Sequence, residues 1–196
     1  MRTKQVGWIV ALVVGSALLV THWAPAADVP RSARLMKEAG NQFLAAKRYA
    51  DAIDCYLQAL EIVPDYPEAH YNLGVAFLKG FRAYRLARYH LERYLELDPT
   101  APDREAVEAL VTTLAQKETP LPKEPGRVLA VIGGRILVSG GNWVKKGDEI
   151  EIQEESGEPC ACLLADYVYP DCVLTQRILD DETLGKVQPG LVAVNR

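Results

Sequence analysis

Gly40-Asn41-Gln42-Phe43 returns at an offset of 34 as Gly74-Val75-Ala76-Phe77, and Tyr49, Ala52, Tyr56, Ala59 and Pro64 return at an offset of 35 as Tyr84, Ala87, Leu91, Tyr94 and Pro99. The change of offset marks one inserted residue in Lys79-Gly80-Phe81-Arg82-Ala83, where a turn is expected. A fixed period near 34 means one supersecondary unit used twice, so this stretch decides the fold. Around it, a chain of 196 residues that is 49% hydrophobic and 24% charged has the composition of a folded protein of one domain or two small ones. A net charge of -4 argues against a nucleic-acid footprint, which needs a concentrated basic face.

The spacing resembles the tetratricopeptide repeat over residues 32 to 99. The resemblance implies antiparallel helix pairs that pack closely at small residues, with a Pro ending each second helix. Gly40 and Gly74 match its small position in the first helix, Ala52 and Ala87 that in the second, and Phe43 and Phe77 its inter-helix aromatic. Ala39 stands where Leu is usual, and Tyr94 where repeat one keeps Ala59. A third amphipathic helix is expected from Asp103 to Lys117, with Val107, Leu110, Val111 and Leu114 on one face and Asp103 as N-cap. It would cover the open end of repeat two and complete a helical domain over residues 32–117.

Residues 118–126 hold three prolines in six positions, which excludes a continuous helix and marks a linker. Beyond it the pattern changes to short apolar runs between Gly, Pro and Asp turns. Strands are expected at Val128 to Ile132, Arg135 to Ser139, Glu149 to Gln153, Cys160 to Tyr169, Val173 to Leu179 and Leu191 to Asn195, with turns at Gly133-Gly134 and Lys146-Gly147-Asp148. Residues 127–196 would close as a small antiparallel barrel, making the chain α+β, with two independent units joined by the linker. Gly126-Arg127-Val128, Val131, Gly134, Val138 and the run Val144 to Ile152 resemble the SH3-like barrels of bacterial envelope proteins, which implies a docking module.

At the amino terminus, Arg2 and Lys4 precede an apolar or small run from Val6 to Val20, followed by Ala24-Pro25-Ala26. This is a basic, apolar, small-residue order of the secretory type. Two outcomes stay open: cleavage, with Ala27 first in the mature chain, or an inner-membrane anchor through residues 6–24 with Trp23 at the interface. Both place residues 27 onward outside the cytoplasm, in the periplasm if the cell is bacterial.

Four cysteines without a Cys-x-x-Cys pair are too few for a disulfide scaffold. If Pro170-Asp171 turns the chain, Cys162 lies seven residues from the position facing Cys172, on the order of 23 Å at a rise of roughly 3.3 Å, beyond disulfide reach. Cys160 and Cys162 are therefore expected as core fillers, with Cys55 likewise structural. Glu149, Glu151, Glu154, Glu155 and Glu158 read as a solvated face, and Trp143 as a barrel plug or ligand platform. Arg82, Arg85 and Arg88 recur every third residue, and Arg88 can pair with Glu92; the stripe is a salt-bridged exterior or a dock for an acidic partner. His70 and His90 fall on repeat helices, away from any nucleophile, and no catalytic, metal or cofactor motif is found.

The function expected is that of a non-enzymatic adaptor, with a protein or peptide in the repeat groove and the barrel docked to a second envelope component. The alternative is a self-assembling homo-oligomer. Lys37 and Asn41 resemble the Lys and Asn of a carboxylate clamp found in some tetratricopeptide proteins, and Asn72, at an offset of 31 from Asn41, takes its next position. That resemblance implies a peptide-binding set of Lys37, Asn41 and Asn72, with Tyr71, Leu78 and Lys79 lining the same groove. The clamp's further basic positions would come from a third repeat, where this chain offers Glu105 and Ala109.

Overall fold

The computed structural model describes residues 29–118, 126–140 and 144–195. The amino-terminal segment, the prolines of the linker and Trp143 lie outside them, and so do the expectations placed on these residues. Among the described residues no helix is long and apolar enough to cross a membrane.

Five helices come first: α1 (Arg31–Ala45), α2 (Tyr49–Ile62), α3 (Pro67–Phe81), α4 (Tyr84–Leu97) and α5 (Arg104–Lys117). Each packs on the next. The recurring glycines explain how closely. A Cβ on Gly40 would lie 2.6 Å from the Tyr56 ring, and one on Gly74 2.9 Å from Leu91. Tyr56 and Leu91 are themselves repeat equivalents, so the same contact is made twice. Ala52, Ala59, Ala87 and Phe77 have no exposed surface. Tyr94 departs from the small residue of repeat one because its hydroxyl reaches Asp103 Oδ1 at 2.6 Å, tying α4 to the start of α5. Asp103 takes the expected N-cap position of α5, although its side chain makes no capping hydrogen bond there.

Six strands follow: β1 (Gly126–Ile132), β2 (Arg135–Ser139), β3 (Glu149–Gln153), β4 (Pro159–Val168), β5 (Cys172–Thr175) and β6 (Val192–Asn195). They close a barrel in the order β1-β2-β5-β4-β3-β6, with every neighbour antiparallel. Gly133 and Gly134 form the two-residue turn of the first hairpin, both at positive φ as that tight turn requires. One short helix is additional to the expected elements: α6 (Asp181–Lys186), whose first turn is capped by Asp180 through the Thr183 amide. The strand expected to reach Leu179 ends at Thr175.

Two cysteine and glutamate expectations are corrected by the phase of the strands. Ala161, Leu163 and Ala165 are the inward residues of β4, which turns Cys162 outward and leaves Cys160 half-buried at the core margin. Neither fills the core. In β3 Glu151 is buried between Ile150 and Ile152 and accepts a hydrogen bond from Gln153, so it does not share the solvated face of Glu149.

The expected independence of helices and barrel is also corrected. Leu137, Leu174, Cys172, Ile132 and Tyr169 belong to the same buried cluster as Ile53, Leu57, Phe77, Leu86 and Leu91. Ile136, Val138 and Val173, the alternate residues of β2 and β5, fill the barrel interior instead. These strands therefore bury both faces, one inside the barrel and one against the helices. At the hairpin tip, a Cβ on Gly133 would lie 2.5 Å from Ala50 Cβ.

Candidate functional site

The barrel meets the second helix of each repeat. Arg135 on β2 binds Asp54 of α2 at 3.0 Å and Asp166 of β4 at 2.6 Å, and Arg177 binds the other Asp54 oxygen at 2.8 Å. Tyr167 and Lys146 reach Glu61 at 3.1 and 3.4 Å. On α4, Arg85 pairs with Asp171 of the β4–β5 turn and with Glu118, and Arg88 with Glu118 and Glu92. Two members of the arginine stripe are thus spent on acidic partners within the chain. The first helices, α1 and α3, remain uncovered by the barrel on their groove side.

On that groove the expected residues divide. Asn41 and Asn72 meet: Asn41 Oδ1 accepts hydrogen bonds from Asn72 Nδ2 at 2.9 Å and from the Tyr56 hydroxyl at 2.8 Å. Their first role is to brace α1 against α2 and α3. The Asn41 amide nitrogen and one Asn72 N–H are left without a partner among the described residues. Lys37 stands one turn before Asn41, its Nζ 5.8 Å from the Tyr66 ring centroid. Tyr71, Asn72, Leu78 and Lys79 fall on roughly one third of the α3 circumference at 100° per residue, opposite the buried Ala69, His70, Leu73 and Phe77. Tyr71 packs edge-on to Tyr94 at 5.1 Å, Leu78 is half-buried against the helical core, and Lys79 is exposed. Glu105 and Ala109 are exposed on α5 and add no cation.

A second feature has little signal in the sequence. Between α2, α4 and the barrel lies a cavity of about 540 Å³ lined by Leu57, Glu61, Tyr89, Arg93, Lys146 and Tyr167 among others, with His70, His90 and Tyr169 in its wall. His70 Nε2 lies 2.8 Å from the Pro64 carbonyl, the two Nδ1 atoms lie 2.9 Å apart, and His90 Nε2 lies 3.1 Å from the Tyr169 hydroxyl. Burial lowers the affinity of both imidazoles for a proton, most strongly for His90, and pushes the Tyr169 hydroxyl well above its ordinary range. The available signal is one histidine on each helix of repeat two, at places that antiparallel helices bring together. The barrel's contribution, Tyr169, carries no such signal. Among the described residues no group of three or more His, Cys, Asp or Glu could hold a metal.

Residues 40–80 match the family model described as TPR repeat, from the second half of α1 almost to the end of α3. The chain is similar to the second TPR of Spaghetti (RPAP3) bound to HSP90 peptide SRMEEVD, at 24% identity and a TM-score of 0.41, over 44% of this chain and 80% of that one. It is similar to the first TPR of the same protein with the same peptide at 22% identity and a TM-score of 0.40, over 44% of this chain and 68% of that one. No curated protein matches the chain. The two helix pairs make the same glycine contact, the family model matches residues 40–80, and α1 to α5 accordingly have a TPR-like fold of two helix pairs with a closing helix.

Proposed function

We propose that the chain is an exported adaptor that works by binding and not by catalysis, holding an acidic peptide tail in the α1/α3 groove. The observation that carries this reading is the placement of Lys37, Asn41 and Asn72 on a helical face that the barrel leaves open. An ammonium group and spare amide N–H donors on adjacent helices suit a carboxylate. Lys79 extends the cationic side of the groove, and Tyr71 with Leu78 offers an apolar wall for a ligand side chain. The basic, apolar, small-residue start supports export, by cleavage before Ala27 or as an anchor. With β1, β2, β5 and the end of β4 turned to the helices, docking to an envelope component falls to the β3 and β6 side.

The test is fluorescence polarisation with acidic peptides carrying either a free or an amidated carboxyl terminus. Free-carboxylate peptides should bind, and amidation should weaken them. Lys37→Ala or Asn72→Ala should each weaken binding by about 1 to 3 kcal/mol, the scale of a charge-assisted hydrogen bond, with helicity unchanged. Equal binding by the Lys37→Ala, Asn72→Ala double variant removes the groove from the reading. Light scattering across a concentration series checks the competing self-assembly, which predicts growth in mass without any added peptide.

A further inference from the structure

We infer that the buried chain Pro64–His70–His90–Tyr169 is an acid-sensitive latch that fastens the barrel to the second repeat and loosens it when the surroundings are acidified. The donors and acceptors allow one arrangement for neutral imidazoles. The Pro64 carbonyl can only accept, so His70 carries its hydrogen on Nε2 and leaves Nδ1 bare. His90 must then donate from Nδ1 to His70, which leaves its Nε2 to accept the Tyr169 hydroxyl hydrogen. Every polar atom of the chain is satisfied, and no buried side-chain nitrogen or oxygen among the described residues lacks a partner.

Protons disturb this arrangement in order. One added to His70 Nδ1 reverses the chain: His90 now donates from Nε2, and the Tyr169 hydroxyl hydrogen loses its acceptor. A second cannot be accommodated, because both Nδ1 atoms would carry hydrogen across 2.9 Å. The surroundings do not compensate. His90 is packed by Phe77, Tyr89 and Tyr169 rings. Of the charged groups near His70, Arg93 opposes its protonation while Asp65 and Glu96 favour it, and both acids already pair with Arg93. Glu61 of α2 and Lys146, Asp166 and Tyr167 of the barrel complete the cavity wall, with Lys146 between the two carboxylates. Cys172 and Arg135 face Tyr169 from the barrel, the first neutral and the second bound to Asp54 and Asp166.

The folded pKa of each histidine is depressed below the ordinary 6.5, so the opened state binds more protons than the closed one. The latch is therefore at full strength above about pH 7.5 and weakens as the pH falls through the ordinary histidine value. With opened-state values near 6.5, going from pH 7.5 to 5.5 multiplies the opening constant by about tenfold through His90, and by up to about a further tenfold through His70.

Nitrogen NMR of the full chain at pH 7.5 reads the tautomers directly and should find the hydrogen on Nε2 of His70 and on Nδ1 of His90. Hydrogen exchange, corrected for intrinsic rate, should show the opening of the β4–β5 hairpin rising about tenfold to 100-fold between pH 7.5 and 5.5, together with α4. His90→Gln, which cannot titrate, should retain a rise of tenfold at most. The His70→Gln, His90→Gln double variant should lose the dependence. The opposite tautomers, wild-type exchange unchanged over this range, or a rise that survives in the double variant each overturns the latch.

Discussion

Gly133→Ala probes the contact between barrel and helices at its tightest point. Gly133 has φ +58° and its missing Cβ would lie 2.5 Å from Ala50 Cβ. Gly147, also at positive φ, has nothing within 4 Å of the same position. Alanine at either site bears the left-handed backbone cost of about 1–2 kcal/mol. Only at Gly133 does overpacking add about 1–3 kcal/mol. Urea unfolding should therefore give losses of about 2–5 kcal/mol for Gly133→Ala and about 1–2 kcal/mol for Gly147→Ala. Ala50→Gly removes the opposing methyl and costs about 0.5–1 kcal/mol alone, but combined with Gly133→Ala it should return most of the steric part. A coupling energy of about 1–3 kcal/mol in that cycle reports the docked hairpin. Coupling within about 0.5 kcal/mol of zero, the scatter of independent sites, would refute it.

Arg135→Ala leaves Asp54 to Arg177 alone and Asp166 to the more distant Lys146, and should cost about 1–3 kcal/mol, seen as a lowered melting temperature. Tyr94→Phe deletes only the bond to Asp103 and should cost about 0.5–1.5 kcal/mol, with α5 amides exchanging faster. Alkylation followed by mass spectrometry should modify exposed Cys162 first. Buried Cys172, whose thiol is held up by burial and Asp171, should resist until the chain unfolds.

The repeat is legible because its physics is local and duplicated: the glycine of each first helix faces a large side chain on the next helix, and the pattern shows in the letters. Strand positions are legible for a similar reason, since Gly133-Gly134 and Gly147 mark turns whose backbone demands glycine. Docking is harder to see, yet it leaves a trace. Ile136-Leu137-Val138 and Cys172-Val173-Leu174 do not alternate apolar with polar, as strands buried on both faces do not. The phase of β4 escapes the sequence because Cys and Ala suit either face, and the neighbouring strands decide. Spacing does bring Asn41 and Asn72 together, but their mutual bond, and the Tyr56 hydroxyl that completes it, depend on side-chain geometry that spacing does not encode. The histidine latch depends on Tyr169, a partner of His90 far along the chain, and such a long-range contact has no local signature.

The central claim is that one shared core holds the barrel on the second helices and leaves the first-helix groove open. Native-state hydrogen exchange of the whole chain at pH 7.5 under increasing urea tests it most directly. Amides of α4 and of β2 and β5 should converge on one opening free energy and one urea dependence, as members of a single cooperative unit. Barrel amides that open at lower free energy while α4 stays protected would contradict the shared core.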